Sequence, residues 1–350
     1  MNFRNLLIFS SLLILGWQCS GEAIKAPKTT NLIRLNGQTM GSGYHVSYRD
    51  SLNRNFQPQI DSFLQEFNRQ VSTYDSVSVI SQLNTNKLLA WPKAENTHLT
   101  ALLLISQKIY QQSNGYFNPA VKPLVNYWGF GYKTKKPIDA ADPKVVDSLL
   151  QITDFQAIII NAEQKDSIFI RKTEARTQIE FNAIAPGYAA DQISEFLLSK
   201  NIADILVEIG GEVRAQGQSS AQFGWKIGIN RPNPAAALNE LQAIVELKNQ
   251  SLATSGNYRS FYEKDGKKYV HTINPKTGYT EENKLLSASV FAPTCAEADA
   301  YATAFMAMGL EKASELIPKL PFLKVFLIFV DEKGDINERY MNGAEALFIE

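Results

Sequence analysis

The chain has 350 residues, of which 45% are hydrophobic and 20% are charged, and this balance is typical of a globular protein with a sizeable core rather than a disordered one. Its 35 basic and 35 acidic residues cancel, so charge gives no reason to expect binding to nucleic acid or to an anionic membrane surface. The length allows one large domain or two ordinary ones, and the presence of only two cysteines, Cys19 and Cys295, excludes a disulfide framework.

Residues 1–19 have the pattern of a targeting segment. Arg4 gives a positive start, and residues 6–15 form an apolar run that is too short to span a bilayer comfortably. Cys19 stands where a bacterial lipoprotein signal carries the cysteine that is acylated and becomes the new N-terminus. The alternatives are an ordinary secretory signal cleaved nearby and a single N-terminal anchor. In each case we expect the chain to leave the cytoplasm, with residues 20–30 as a tether.

The first half of the remaining chain is predicted to contain an interrupted strand, two helices and an aromatic-rich segment. Residues 32–48 are typical of a strand that a glycine-rich stretch, residues 37–44, interrupts with either a bulge or turn or a ligand loop. Apolar periodicity predicts helices over residues 56–71 and 97–113. Residues 115–131 contain five aromatic residues and two prolines, which predicts an ordered segment without regular structure. Such a segment is either part of the core or the wall of a site for a flat aromatic ligand.

The second half is richer in strand patterns. Its β-branched residues predict a hairpin of residues 155–162 and 167–172. Residues 178–185 are predicted to form a strand that turns into a helix over residues 188–199. Further strand patterns occupy residues 205–215, 225–229, 243–247, a hairpin about Asp265-Gly266, and residues 285–292, 323–330 and 336–341. No internal repeat or later linker separates these elements, so we predict a single α+β domain with mostly antiparallel sheet and packed helices.

A capping box predicts a buried helix near the end of the chain. Thr294 followed by Glu297 places the start of this helix at Cys295. Asp299 and Thr303 are spaced i, i+4 and therefore lie on one face, one turn apart. A carboxylate and a hydroxyl are hard oxygen ligands that suit Mg²⁺ better than Zn²⁺ or copper. The alternative is that Asp299 favours the positive end of the helix dipole and Thr303 bonds back to a carbonyl.

A few polar residues elsewhere are candidates for a site. Glu180 and Asn182 precede a glycine turn into a helix, and His271 precedes the turn sequence Asn-Pro-Lys-Thr-Gly. His271 alternates with apolar neighbours on one predicted strand, so a core histidine is the alternative to a catalytic one. His45 and His98 occupy surface or strand positions and receive no role. The chain lacks a P-loop, a dinucleotide-binding glycine fingerprint, a cysteine-based metal site and a G-x-S-x-G elbow.

Six segments carry a resemblance to a known family. They are residues 37–44, 71–84 (VSTYDSVSVISQLN), 113–131 (SNGYFNPAVKPLVNYWGFG), 182–191 (NAIAPGYAAD), 254–278 (TSGNY…HTINPKTG) and 294–309 (TCAEADAYATAFMAMG). In content and order they resemble the FAD:protein FMN transferase (ApbE) family, and the resemblance spans residues 33–345. Any one segment is weak evidence, but six in register behind a lipoprotein-like signal are specific.

The resemblance implies a magnesium enzyme that splits FAD and joins FMN, through its phosphate, to a threonine hydroxyl of an acceptor flavoprotein, with AMP as the leaving group. Asp299 and His271 are implied as catalytic residues, and His271 as lying near the reacting phosphates. The implied Mg²⁺ ligands are the Asp299 carboxylate, the Thr303 hydroxyl and the backbone oxygen of Ala183. The implied FAD contacts are Met40, Tyr74, Tyr116, Phe117, Asn118, Glu180, Pro186 and Ile273.

The residues are consistent with this chemistry. A bound divalent cation neutralises the pyrophosphate before a neutral hydroxyl attacks it. His271 is the one side chain in the six segments that titrates near neutrality, so it is the candidate to remove the hydroxyl proton. Two positions depart from the family pattern. Pro186 stands where many members carry Lys or Glu, and Asn274 replaces a common Asp, so we expect activity with an altered affinity for FAD.

The family also implies a location and partners. Residues 31–350 would form the catalytic domain, on the periplasmic side of the cell envelope, with a lipid anchor at Cys19. The expected partners are FAD, an acceptor flavoprotein and the membrane, and no nucleic acid. Two other functions remain open at this point. One is an FAD pyrophosphatase that uses water as the nucleophile, and the other is a non-enzymatic flavin-binding lipoprotein that needs no Asp299–Thr303 pair.

Overall fold

An eight-stranded antiparallel sheet is the frame of the molecule in the computed structural model, which describes residues 31–131, 141–162, 166–220, 223–232, 240–257, 261–264, 267–280 and 284–349. The predicted signal with Cys19 and the predicted turn at Asp265-Gly266 lie outside these residues. Helices pack against the sheet within one domain, so the α+β class predicted from the sequence is confirmed.

The strands form one large sheet and three small ones. In chain order they are β1 (Asn31–Thr39), β2 (Ser42–Asp50), β3 (Leu88–Pro92), β4 (Ile158–Asn161), β5 (Ser167–Lys172), β6 (Ile205–Ile209), β7 (Glu212–Gln216), β8 (Trp225–Asn230), β9 (Leu241–Leu247), β10 (Gln250–Gly256), β11 (Phe261–Lys264), β12 (Lys267–Val270), β13 (Leu285–Ala292), β14 (Lys324–Val330), β15 (Ile336–Met341) and β16 (Phe348–Ile349). The large sheet has the order β1-β2-β6-β7-β10-β13-β14-β15, and every neighbouring pair in it is antiparallel. The small sheets are β3-β5-β4, β16-β9-β8 and β11-β12.

Eight α-helices accompany the sheets in the described part of the chain. They are α1 (Gln57–Val71), α2 (Val79–Thr85), α3 (Thr97–Gln112), α4 (Lys122–Tyr127), α5 (Pro143–Leu150), α6 (Ala185–Ser199), α7 (Cys295–Met308) and α8 (Leu310–Leu316). Within the described part of the chain, no helix has the length and apolar character needed to cross a membrane.

Helix α7 is the buried helix that the capping box predicts. It begins at Cys295, and the Thr294 hydroxyl accepts a hydrogen bond from the Glu297 backbone N–H at 3.3 Å. It packs against β10, β13 and α6, and all of its residues except Glu297 and Thr303 are buried. A helix made mostly of Ala, Met, Phe and Tyr can be surrounded in this way, because it has few polar groups to hydrate.

The first turn of α6 lies directly against the first turn of α7. A Cβ atom on Gly187 would lie 2.4 Å from the carbonyl oxygen of Cys295, so only glycine fits there without movement. Asp191 then caps α7, because its carboxylate accepts hydrogen bonds from the N–H groups of Cys295 at 2.8 Å and Ala296 at 2.9 Å. These contacts fix where α7 presents its polar face.

The prediction of a strand over residues 178–185 is wrong. Residues 178–181 belong to no strand, and α6 already begins at Ala185. The backbone groups that a sheet would pair are bonded in another way. The Asn84 side chain donates to Ile179 O at 2.8 Å and accepts from Ile179 N at 2.7 Å, and Pro119 O accepts from Glu180 N at 2.9 Å. An asparagine therefore takes the place of a neighbouring strand.

The segment 115–131 is more regular than predicted. It contains a 3₁₀ turn, Pro119–Val121, followed by α4, and each proline stands in the first turn of its helix, where no N–H group is needed. Trp128 is buried and donates its indole N–H to Gly278 O at 2.7 Å, which ties the end of α4 to the turn of residues 274–278. The aromatic residues of this segment thus serve both packing and the wall of a cavity.

Candidate functional site

A cavity of about 660 Å³ opens where α7, the β6–β7 turn, β8, β10 and the segment before α6 meet. This volume lies within the range of roughly 300–1,000 Å³ that is usual for small-molecule sites. The wall combines apolar residues of β8 with three carboxylates, Glu180, Glu212 and Asp299. We call it the main cavity. The predicted site residues that line it are Tyr116, Phe117, Asn118, Glu180, Ala183, His271, Ile273, Asp299 and Thr303.

A second cavity of about 230 Å³ adjoins the main one, since Phe181 and Asn182 line both. The three remaining predicted residues, Met40, Tyr74 and Pro186, line this side cavity. Tyr74 keeps 63% of its surface exposed there. The structure therefore brings all twelve residues implied by the resemblance to two adjoining cavities, although they come from widely separated parts of the chain.

Asp299 is the most unusual carboxylate of the main cavity. It is only 6% exposed, and the hydrogen bond that it accepts within the described residues comes from Gly187 N at 3.3 Å. Burial, together with the nearby charges of Glu212 and Asp191, raises its pKa well above the usual value. No lysine or arginine among the described residues pairs with it. A bound cation would favour the ionised form of this buried carboxylate.

The donor set fits Mg²⁺ in its chemistry. The Asp299 carboxylate, the Thr303 side chain one turn later and Ala183 all line the main cavity, and hard oxygen donors of this kind are what Mg²⁺ prefers. The described residues contain no group of three or more His, Cys, Asp or Glu side chains that could hold a metal ion.

Glu212 is a further cavity residue that no sequence pattern identified. It follows the Gly210-Gly211 turn between β6 and β7 and lines the main cavity. Burial raises its pKa to about 7, and the charge of Glu208 adds to this effect. The signal that could have identified it is a carboxylate directly after two glycines, a place where the backbone turns sharply at the end of a strand.

His271 lines the main cavity one residue after the end of β12, rather than within the strand predicted for it. Its ring contacts Phe130 edge-on, with 6.5 Å between the ring centres. The neighbouring Thr272 is fixed by a hydrogen bond from its hydroxyl to the Asn257 side-chain oxygen at 2.7 Å. The Asn274 side-chain oxygen accepts a bond from Lys276 N at 2.9 Å and so stabilises the following turn.

The two other histidines, His45 and His98, lie outside the cavities. His45 lies 2.5 Å from Glu208 on the exposed face of β2, and His98 is half-buried with its ring nitrogen 3.1 Å from the Tyr188 hydroxyl. Burial lowers the pKa of His98. Neither histidine lines one of the two cavities.

Together the fold and the site define an α+β protein whose ligand cavity is built against a buried helix that carries a carboxylate. The chain belongs to the ApbE family, whose model matches residues 40–327. The FAD:protein FMN transferase of Haemophilus influenzae is 31% identical over 316 residues, which cover 89% of this chain and 90% of that one. The FAD:protein FMN transferase of Escherichia coli K12 is 29% identical over 347 residues, which cover 97% and 95% of the two chains. The solved structure of the flavin transferase ApbE from Vibrio cholerae has a TM-score of 0.79 and 28% identity, with 91% of this chain and 99% of that chain covered.

Proposed function

We propose that this protein transfers FMN from FAD to a threonine hydroxyl of an acceptor flavoprotein, with AMP as the leaving group. The observation that carries the proposal is that Asp299 and Thr303 face the same cavity as Tyr116, Phe117 and Glu180. Relatives that cover nearly the whole chain are named for transfer of FMN from FAD to protein. The two adjoining cavities offer apolar and aromatic walls for the rings of a flavin nucleotide beside a polar region for its phosphates.

Asp299, Thr303 and the backbone oxygen of Ala183 would hold Mg²⁺. When bound, this ion would neutralise charge on the pyrophosphate and act as a Lewis acid. His271 would accept the proton of the threonine hydroxyl as the oxygen attacks. A bond then forms between the threonine oxygen and the phosphorus of FMN. The bond from that phosphorus to the bridging oxygen breaks, and AMP leaves with the electron pair.

We also propose that the protein is anchored on the periplasmic side of the cell envelope through an acylated Cys19. The support is the order of features at the start of the chain, which is a positive residue, a short apolar run and a cysteine. An anchor of this kind would hold the domain at the membrane surface.

Transfer is tested by incubating the full chain with FAD, Mg²⁺ and an acceptor flavoprotein domain, and measuring the intact mass of the acceptor. We expect the acceptor to gain the mass of FMN less water, and replacement of its target threonine by alanine to abolish the gain. Formation of free FMN and AMP at one rate with and without acceptor would overturn the proposal in favour of an FAD pyrophosphatase. Tight FAD binding without turnover would instead favour a flavin-binding lipoprotein.

A further inference from the structure

A lysine lies buried behind the wall of the main cavity. Lys122 begins α4, and its side chain is only 10% exposed. Its Nζ atom lies 3.8 Å from Oε2 of Glu180, whose side chain is also 10% exposed and lines the cavity. Two charges in such a place are costly unless each offsets the other, so this pair is part of how the wall is built.

Hydrogen bonds join the backbone segments that carry Lys122 and Glu180. Glu180 N donates to Pro119 O at 2.9 Å, three residues before Lys122. Asn118 starts this turn by accepting a bond from Ala120 N at 2.9 Å, and its amide donates to Thr153 O at 3.0 Å. The backbone segments that carry the lysine and the glutamate are therefore joined by a hydrogen-bonded frame, and both side chains are buried within it.

The Glu180 carboxylate keeps its hydrogen-bonding capacity for a ligand. A separation of 3.8 Å is too long for a hydrogen bond, so Lys122 offers charge without occupying the carboxylate oxygens. No other described residue forms an ion pair or a side-chain hydrogen bond with this carboxylate. Burial raises the pKa of Glu180, and the positive charge of Lys122 lowers it. The lysine thus favours the form that can only accept hydrogen bonds.

We propose that Lys122 is a positioning residue that keeps Glu180 ionised in the cavity wall, so that Glu180 accepts a hydrogen bond from an N–H or O–H group of the flavin nucleotide. This inference rests on the proposed binding of FAD and adds a residue that the resemblance does not assign. The donor would be of the kind found in a flavin imide or a ribityl hydroxyl. The role needs the charge of Lys122, and not merely its volume.

The test is the dissociation constant of FAD, measured by fluorescence for the full chain between pH 6 and pH 9. We expect Lys122→Met to weaken binding about tenfold or more at pH 6, because a hydrogen bond to a charged acceptor is lost. Affinity should recover as the pH rises and Glu180 ionises. Lys122→Arg keeps the charge and should have the pH profile of the wild type. The control Lys144→Met, at an exposed position on α5, should leave binding unchanged.

Every variant keeps the other titratable groups of the cavity, which are Tyr116, Glu212, His271 and Asp299. The ratio of the FAD dissociation constants of variant and wild type therefore reports on the Lys122–Glu180 pair alone. Glu180→Gln should bind FAD weakly, and the ratio of its dissociation constant to that of the wild type should not change with pH. The double variant Lys122→Met/Glu180→Gln should have the same FAD affinity as Glu180→Gln alone. The double variant also carries no unpaired charge, so it keeps the test available if Lys122→Met does not fold.

The inference fails if Lys122→Met binds FAD as the wild type does at every pH. It also fails if Lys122→Met weakens FAD binding by the same factor at every pH, since a purely structural role would have that effect. Failure of the proposed function is distinguishable, because in that case the wild-type protein itself would not bind FAD.

Discussion

Gly187 lies so close to Cys295 that a Cβ atom on it would be 2.4 Å from the Cys295 carbonyl oxygen. The same close approach brings Gly187 N to 3.3 Å from Oδ2 of Asp299. The missing side chain at position 187 therefore sets the distance between α6 and the helix that carries the proposed metal ligand. A buried contact of this kind ties the stability of the fold to the geometry of the site.

We expect Gly187→Ala to lower the free energy of unfolding by about 1–3 kcal/mol, because the added methyl group meets backbone atoms that cannot rotate away. FAD binding should weaken as well, since α6 and α7 must move apart. Thermal unfolding and an FAD titration measure the two effects. Gly43→Ala is the control, because its Cβ would find its nearest neighbour at 3.7 Å, an ordinary contact distance. Wild-type stability in Gly187→Ala would contradict the prediction.

Asn84→Ala should also destabilise the protein. The asparagine side chain satisfies both backbone groups of Ile179, and removing it leaves a buried N–H and a buried C=O unpaired. We expect a loss of about 1–3 kcal/mol for each group left without a partner, and weaker FAD binding because Glu180 is the next residue. Asn86→Ala, an exposed asparagine that ends the same helix, is the matched control and should have a small effect. Equal stability of the two variants would count against this account.

Much of the fold follows from local signals. The capping box places the start of α7 at Cys295, and strand β13 occupies the predicted residues 285–292. Local signals succeed here because caps, turns and periodicity act within a few residues. They do not extend to residues 178–181, where the pairing partner is the side chain of Asn84.

The candidate site was predictable in a different way. Asp299 and Thr303 were predictable from their i, i+4 spacing in a capped helix, whereas the roles of Met40 and Tyr74 came from the resemblance alone, since no local pattern places them beside a cavity. Glu212 and Lys122 were missed because their importance depends on burial and on neighbours distant in sequence. Charge pairing across a fold leaves no periodic pattern in the chain, so only the structure reveals it.

A pH-dependent prediction concerns Asp50 at the end of β2. Its carboxylate accepts hydrogen bonds from Arg54 N at 2.9 Å and Nε at 2.8 Å, and the side-chain bonds hold the pKa of Asp50 at about 2, below its usual 3.8. Because the folded pKa is lowered, this stabilisation is present above pH 3.8 and is lost as the pH falls through about 2. Asp50→Asn should therefore cost about 1–3 kcal/mol at pH 7.

The difference between Asp50→Asn and the wild type should narrow from about pH 4 downward, which denaturant unfolding at several pH values would detect. Glu174→Gln is a useful comparison, because Arg176 also holds the pKa of Glu174 at about 2, but in a solvent-exposed pair. Water screens that pair, so its loss should change stability little. If Asp50→Asn lowers the free energy of unfolding by the same amount at every pH, the ionisation of Asp50 is not the source of its stabilising effect.

The proposed membrane anchor at Cys19 can be tested by cell fractionation. If Cys19 is acylated, the wild-type protein should sediment with membranes and Cys19→Ala should appear in the soluble fraction. A single acyl chain binds a membrane only marginally, so a lipoprotein-type anchor with several chains should hold firmly against salt washing. Membrane association that persists in Cys19→Ala would instead favour an uncleaved N-terminal helix.

The last prediction separates a metal site from a packing role for Asp299 and Thr303. Asp299→Ala removes the one carboxylate of the proposed Mg²⁺ ligands, whereas Thr303→Ala removes a neutral oxygen and leaves the anion in place. We expect Asp299→Ala to lose more FAD turnover, and added Mg²⁺ to rescue Thr303→Ala better. Mg²⁺ should also raise the melting temperature of the wild type but not that of Asp299→Ala, because only a folded site that binds the ion is stabilised by it.

If the two residues serve packing alone, both variants should lose stability modestly, by about 1 kcal/mol, and activity should follow the folded fraction. For Asp299, a metal-binding role predicts no such loss of stability. Burial beside other carboxylates disfavours its charge, as its raised pKa indicates, so Asp299→Ala without metal should be at least as stable as the wild type at neutral pH. Turnover and melting temperature, followed together across a Mg²⁺ titration, distinguish these outcomes. A folded Asp299→Ala that turns over FAD at the wild-type rate in low Mg²⁺ would exclude the metal assignment.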